Sequence, residues 1–273
     1  MDFLDLRVQF LLRTVGGMTH ILDDRTALVT GSTSNIGKAT AIALAAAGAH
    51  VVVSGRDDKR GAAVVAEILS RGGRADYVRA DLDGSVAASR GLADSAMSRL
   101  GGRIDILVNN AGIFPPANTL TVDSAMFDRV YSVNVKAPFF LTQAVAPAMM
   151  EHGGGVIVNL GSWVARLSVP VGALYASTKG AMETLTRAWA AEFGPQGIRV
   201  NAVSPGVVLE GGHPAAAMMT GTPAGRMGIP DEIAAAIVFL CSDDSGFIHG
   251  SVLEIDGGRT AVAVLAGAAG GNT

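Results

Sequence analysis

The chain has 273 residues, enough to enclose one full hydrophobic core within a single domain. Apolar residues make up 49% and charged residues 16%, which excludes a disordered chain, and a net charge of -3 offers no basic surface for nucleic acid or an anionic membrane. The lone Cys241 excludes an intrachain disulfide and a cysteine-rich metal site, and it fits a reducing, cytoplasmic compartment.

Residues 1–23 read as an N-terminal extension without packed structure, with Met18 as an alternative start. The apolar patch Phe10-Leu11-Leu12 is interrupted by Arg7, Gln9 and Arg13, so it is too short for a signal-peptide core or a membrane span. From Thr26 onward, β-branched runs alternate with Ala-rich stretches of helical period. The first run, 27–29, leads into Thr30-Gly31-Ser32-Thr33-Ser34-Asn35-Ile36-Gly37 and then a helix over 37–47. Such a turn of small residues lets a pyrophosphate approach a helix N-terminus, and Ser32, Thr33 and Ser34 can add hydroxyls. The spacing is Gly31-x3-Asn35-x-Gly37 rather than G-x-G-x-x-G, and taken alone it also fits an ordinary strand-to-helix turn.

Further strands are expected at 51–53, 77–78, 104–108, 156–158, 200–203 and 252–255, and further helices at 58–70, 86–100, 124–150, 175–193 and 231–240. The strand runs are mostly continuous rather than alternating, as parallel strands covered on both faces require. Gly48 and Gly72-Gly73 stop helices, while Pro230-Asp231-Glu232 starts one. Seven strands alternating with six helices specify an α/β, Rossmann-type, doubly wound parallel sheet with helices on both faces. The pattern fills residues 24–260 as one domain, and the Ala/Gly-rich residues 261–273 read as a loose tail.

Several pieces join the turn in a fixed order: Asn109-Asn110-Ala111-Gly112, Asn134 in Val133-Asn134-Val135, Ser162, Tyr175-Ala176-Ser177-Thr178-Lys179, Ser204-Pro205-Gly206 and Asp256-Gly257-Gly258. Together they resemble the short-chain dehydrogenase/reductase family, in particular the branch containing the 3-oxoacyl-carrier-protein reductases, over about residues 24–260. The resemblance implies a catalytic group of Asn134, Ser162, Tyr175 and Lys179. Tyr175 and Lys179 are four apart and share one helix face. An ammonium beside the phenol would lower its pKa and make Tyr175 the acid in reduction and the base in oxidation. Ser162 would hold the substrate oxygen beside it. By resemblance, Asn134 fixes a water that links Lys179 to solvent, and Lys179 also binds the nicotinamide ribose.

The same resemblance places a dinucleotide against Gly31, Ser32, Thr33, Ser34, Asn35, Ile36 and Gly37. It continues past Ser54 and Arg56, Asp81 and Leu82, Asn110, Ala111 and Gly112, Tyr175 and Lys179, and then Pro205, Gly206 and Val208. The residue expected to be acidic in an NAD enzyme, at the end of the second strand, is Gly55, and Arg56 follows it. Arg56 can grip a 2′-phosphate, so the reading is NADP(H), with NAD(H) the lesser alternative. Against it, Arg56 could simply start a solvated helix with Asp57 and Asp58, whose charges would oppose a phosphate. Asn35 departs from the family's usual glycine or alanine, a position where asparagine tolerates left-handed angles. Glu210 departs from its usual threonine and would repel a pyrophosphate.

Residues 207–228 are expected to act as a substrate lid, with His213 and Met218-Met219 available to touch substrate and Trp163 as either a pocket wall or core. The five histidines show no metal-ligand spacing, so no metal is expected. The Ala-rich helices around Asn134 and Tyr175 suggest a homotetramer, as the family commonly forms. The expected activity is interconversion of a small-molecule ketone and a secondary alcohol, with 3-oxoacyl thioesters first among substrates and Arg166 and Arg226 as the only basic residues placed near the cleft for a carrier. Dehydrogenation of other secondary alcohols, sugars or polycyclic compounds is the alternative. A non-catalytic dinucleotide sensor would be expected to have lost Tyr175 or Lys179, and both are present.

Overall fold

In the computed structural model, which describes residues 21–167, 169, 172–208 and 214–263, the β-branched runs become seven strands of one sheet. In chain order the elements are β1 (Thr26–Val29), α1 (Asn35–Ala46), β2 (His50–Gly55), α2 (Asp58–Ser70), β3 (Arg74–Arg79), α3 (Val86–Arg99) and β4 (Ile106–Asn109). There follow α4 (Ser124–Tyr131), a π-helical turn (Ser132–Lys136), α5 (Ala137–Glu151), β5 (Gly155–Leu160), α6 (Ala173–Phe193), β6 (Ile198–Pro205), α7 (Pro230–Cys241) and β7 (Val252–Ile255). The strand order is β3-β2-β1-β4-β5-β6-β7, and every neighbouring pair is parallel. The chain winds outward in one direction from β1 and in the other from β4. A crevice therefore opens at the carboxyl ends of these two central strands, where open α/β sheets bind ligands.

Alternate side chains of each central strand enter different cores, which is why the strands read as unbroken apolar runs. Val29, Val53, Val108 and Val158 pack under Leu44, Ile68, Ile233 and Ile237 on one face. Leu28, Val52, Leu107 and Ile157 pack under Leu92, Leu141, Val145 and Trp189 on the other. Leu22, within the expected extension, is buried, and its N–H donates to the Ala47 carbonyl at 2.9 Å. Residues 1–20 and 264–273 of the expected extension and tail lie outside the described residues. No helix among the described residues is long and apolar enough to cross a membrane.

The single helix expected over 124–150 is interrupted. The π turn inserts one extra residue, with the Ala137 N–H bonding the Ser132 carbonyl five residues back. Pro138 contributes directly, because it has no N–H to give the carbonyl of Asn134 four residues earlier. The shift in phase turns Asn134 inward, 2% exposed, while Leu141, Val145 and Met149 of α5 stay in the core.

Candidate active site

A cleft of about 1250 Å³ runs along the carboxyl edge of the sheet, from Arg56 at one end to Tyr175 and Trp163 at the other. Its floor at the first end is the turn between β1 and α1. Gly31 (φ +62°) and Asn35 (φ +46°) are both left-handed, so the asparagine takes up the angle that its residue type allows. A Cβ on Gly37 would fall 2.4 Å from both the Gly31 carbonyl oxygen and Asn110 Nδ2, so glycine is what lets α1 start this close to the turn. Ser34 caps α1 without a side-chain hydrogen bond, which leaves the first N–H groups of the helix facing the cleft.

Two expected ligands of this end are otherwise engaged. Ser32 is fully buried and does not line the cleft: its hydroxyl donates to the Val29 carbonyl at 2.7 Å and accepts from the Ser54 N–H at 2.9 Å. The amide of Asn110 donates to the carbonyls of Thr30 (2.8 Å) and Gly31 (3.1 Å), so it clamps the turn to the end of β4 while its residue borders the cleft. Thr33, Ser34, Asn35, Ile36 and Ser54 do line the cleft, as do Asp81, Leu82, Ala111 and Gly112. Asn35 Nδ2 also reaches the Val208 carbonyl at 3.4 Å, tying the turn to the loop after β6.

At the rim stands Arg56, with Nη1 3.9 Å from Asp81 Oδ1. Arg60, not foreseen from sequence, lines the cleft one helical turn further on. The two acids that follow Arg56 are both engaged by arginines. Asp57 caps α2 through the Arg60 N–H at 3.0 Å and pairs with Arg60 Nε at 2.9 Å, while Asp58 lies 3.7 Å from Arg79. The backbone hydrogen bond to Arg60 holds the Asp57 carboxyl below its ordinary range. A side chain at position 55 would begin with a Cβ 2.7 Å from the Thr33 methyl, so an acidic residue there would have to shift the Thr33 side chain.

At the other end the sequence-selected group comes together. Ser162 leaves β5 with extended backbone and is 8% exposed. Its hydroxyl lies near enough to the Tyr175 phenol to lower that group's pKa. Lys179 is buried, donates from Nζ to the Leu160 carbonyl at 2.8 Å and lies 5.5 Å from the Tyr175 ring centroid. The expected lowering of the Tyr175 pKa is not what the geometry gives. Burial pushes the phenol up to about 12, the Ser162 hydroxyl offsets this in part, and Lys179 sits over the ring rather than against the oxygen. Burial also pushes the Lys179 ammonium down to about 8.

Asn134 is held by protein on both sides of its amide. Oδ1 accepts from the Ile113 N–H at 2.8 Å, and Nδ2 donates to the Ile113 carbonyl at 3.0 Å and to Thr178 Oγ1 at 3.2 Å. Its side chain thus fixes the strand-end segment beside Gly112 and the residue preceding Lys179. Phe114, not foreseen from sequence, packs on Tyr175 with centroids 4.7 Å apart. Trp163 and Met218 line the cleft, whereas Met219 is core. Pro205, Gly206 and Val208 line it too, with a Cβ on Gly206 falling 2.7 Å from the Asp256 Cα. Glu210 and His213 lie outside the described residues. No cluster of metal-ligating side chains is present among the described residues.

A family model described as Enoyl-(Acyl carrier protein) reductase matches residues 31–260. The chain is 42% identical over 247 residues to an uncharacterized oxidoreductase of Methylorubrum extorquens, spanning 87% of this chain and 98% of the relative. A 7α-hydroxysteroid dehydrogenase solved with NADH and 7-oxo glycochenodeoxycholic acid matches with a TM-score of 0.82 at 39% identity, over 89% of this chain and 96% of that one. A gluconate 5-dehydrogenase from Burkholderia cenocepacia, solved with NADP and tartrate, matches with a TM-score of 0.83 at 35% identity, over 90% and 99%.

Proposed function

This chain belongs to the short-chain dehydrogenase/reductase family, oxidoreductases of alcohol and carbonyl groups, and from that premise we propose that it interconverts a ketone and a secondary alcohol using NADP(H). The observation that carries the reading is the convergence of Ser162, Tyr175 and Lys179 at one end of a cleft whose other end is a glycine turn with unclaimed helix N–H groups.

The turn fits a dinucleotide. The N-terminal N–H groups of α1, with Thr33 and Ser34, would take the phosphates, Lys179 the ribose, and Asn110 and Gly206 would keep the walls in place. When bound, nicotinamide supplies or accepts the hydride that no side chain can provide. The chain's own residues handle the proton. With its pKa near 12, the Tyr175 hydroxyl carries its proton at neutral pH and can donate it to the substrate oxygen held beside Ser162. In the oxidative direction the phenol must give up that proton first, with Lys179 Nζ 5.5 Å from its ring centroid as a nearby cation below about pH 8. Asn134 serves as a positioning residue through Ile113 and Thr178.

Preference for NADP(H) over NAD(H) rests on Arg56 and Arg60 at the rim, on the turning of Asp58 to Arg79, and on a glycine at position 55, where a Cβ would crowd the Thr33 side chain. Both cofactors occur among the matching structures, one solved with NADH and one with NADP. For substrate, the carrier-linked thioester reading has lost its two arginines. Arg226 pairs with Glu232 at 2.5 Å, and Arg166 pairs with Glu254 at 2.5 Å. Free ketones and secondary alcohols of sugar-acid or polycyclic type are the better first panel, alongside 3-oxoacyl thioesters. Exposed Phe127 and Phe139 offer apolar surface for a homotetramer, and sedimentation giving a four-copy mass checks it.

The test is the disappearance of NADPH and of NADH with this panel, for wild type and Tyr175→Phe. Consumption of NADPH by the wild type and its near-abolition in the variant sustain the reading. Preference for NADH removes the Arg56 assignment, and equal rates in the variant remove Tyr175 as the acid.

A further inference from the structure

Beyond β7 the chain turns through Gly257 (φ +66°) and Gly258 (φ +83°), both left-handed. The buried carboxylate of Asp256 closes this turn by accepting from the N–H groups of Gly258 (2.9 Å) and Thr260 (2.8 Å) and from the Thr260 hydroxyl (2.6 Å). The turn therefore fixes where residue 259 leaves the backbone, and that residue is an arginine lining the cleft. Its guanidinium carbon lies 5.3 Å from the ring centroid of Trp163, the residue next to Ser162. Phe114, Val169, Val207 and Met218 are apolar residues lining the same cleft.

Arg259 differs from the neighbouring arginines in having no ion-pair partner among the described residues. Arg166 reaches Glu254 and Glu183, and Arg226 is matched by Glu232. Glu254 also accepts from the Thr260 hydroxyl at 3.0 Å. Arg259 Nε is buried without a hydrogen-bond partner, and its guanidinium makes no hydrogen bond or ion pair among the described residues. Arg259 is half-buried and lines the cleft, so an acceptor that enters the cleft can meet the rest of its guanidinium. One planar fork, with Arg166 and Arg226 already paired to carboxylates, suits a carboxylate, whereas a phosphate dianion would call for more donors.

We propose that Arg259 selects the substrate, and that the substrate is a ketone or secondary alcohol bearing a carboxylate close to the reacting carbon, gripped by Arg259 across Trp163 from Ser162 and Tyr175. This rests on the carbonyl–alcohol reading above. The experiment uses the full chain and matched pairs that differ in charge: levulinate and methyl levulinate, acetoacetate and methyl acetoacetate, and a keto-substituted cyclohexanecarboxylate and its methyl ester. In the wild type, kcat/KM for the acids exceeds that for the esters by on the order of tenfold or more, mostly through KM. Arg259→Met erases that ratio while leaving ester turnover within about threefold. Arg259→Lys, which keeps the charge but not the fork, retains part of it.

Several results would overturn the proposal: a wild type indifferent to the charge, an Arg259→Met variant that loses acid and ester equally, or one that changes the mass of the assembly instead of the selectivity. Reduction of ketones without regard to charge sinks this inference alone. Failure to oxidise NADPH or NADH with any ketone sinks the reaction class and this proposal with it.

Discussion

At the glycine-turn end of the cleft, side chains point into the protein so that the backbone can face outward; at the Tyr175 end, the backbone is tied down so that side chains can. Ser32, Thr30 and Asn110 hold the turn through bonds to Val29, Ser54, Val108, Thr30 and Gly31, and what they leave facing the cleft is peptide N–H. At the other end Asn134 fastens the Ile113 backbone, and the Leu160 carbonyl takes one of the Lys179 donors. What is left facing outward there is a phenol and a hydroxyl whose acidity is set by burial. The first end suits binding without regard to protonation, and the second suits proton transfer.

Variants at one end should leave the properties of the other intact. The largest effect belongs to Tyr175→Phe, which is expected to lower kcat/KM by about 10²–10⁴-fold with NADPH affinity unchanged, as read by steady-state kinetics and a binding titration. The pH profile sharpens the same point. Lys179 is cationic below its value of about 8 and neutral above it, so kcat/KM for reduction should be level near neutrality and fall as pH rises past about 8. Tyr175, near 12, stays protonated throughout that window. A rate that rises between neutrality and pH 9 would place the controlling group elsewhere.

Smaller effects belong to the other end. Arg56→Ala should raise the NADPH KM by about tenfold while leaving kcat and the use of NADH in place. Gly37→Ala forces a methyl into space held by Asn110 and the Gly31 carbonyl. It should cost about 1–3 kcal/mol of stability, measured by denaturant unfolding, and weaken NADPH binding. The smallest change is expected at Asn35 (φ +46°), where glycine should be close to neutral and alanine should cost about 1 kcal/mol.

The alternation of strands and helices was legible because each strand buries both faces, and the residues of the Tyr175 end were legible because their chemistry needs particular side chains in a particular order. The uses of polar groups were less so. The hydroxyl of Ser32 looks from sequence like a phosphate ligand and is instead a strut, because φ/ψ at Gly31 turns it inward. The π turn was hidden by an apolar pattern that fits an unbroken helix, although Pro138, by withholding a donor from the Asn134 carbonyl, carried a signal of it. Arg60 and Arg259 were not singled out because nothing in a sequence tells a solvated arginine from one that a turn of chain aims into a cleft. The acidity of Tyr175 depends on where Lys179 lies relative to the phenol oxygen, which spacing alone does not fix.

The most direct test of the division between binding and chemistry combines NADPH affinity and turnover on the single variant Tyr175→Phe, with Arg56→Ala as its mirror. The account predicts wild-type affinity and a rate lower by about 10²–10⁴-fold in the first, against weakened affinity and a preserved kcat in the second. Loss of NADPH binding in Tyr175→Phe, or turnover at the wild-type rate, would contradict it.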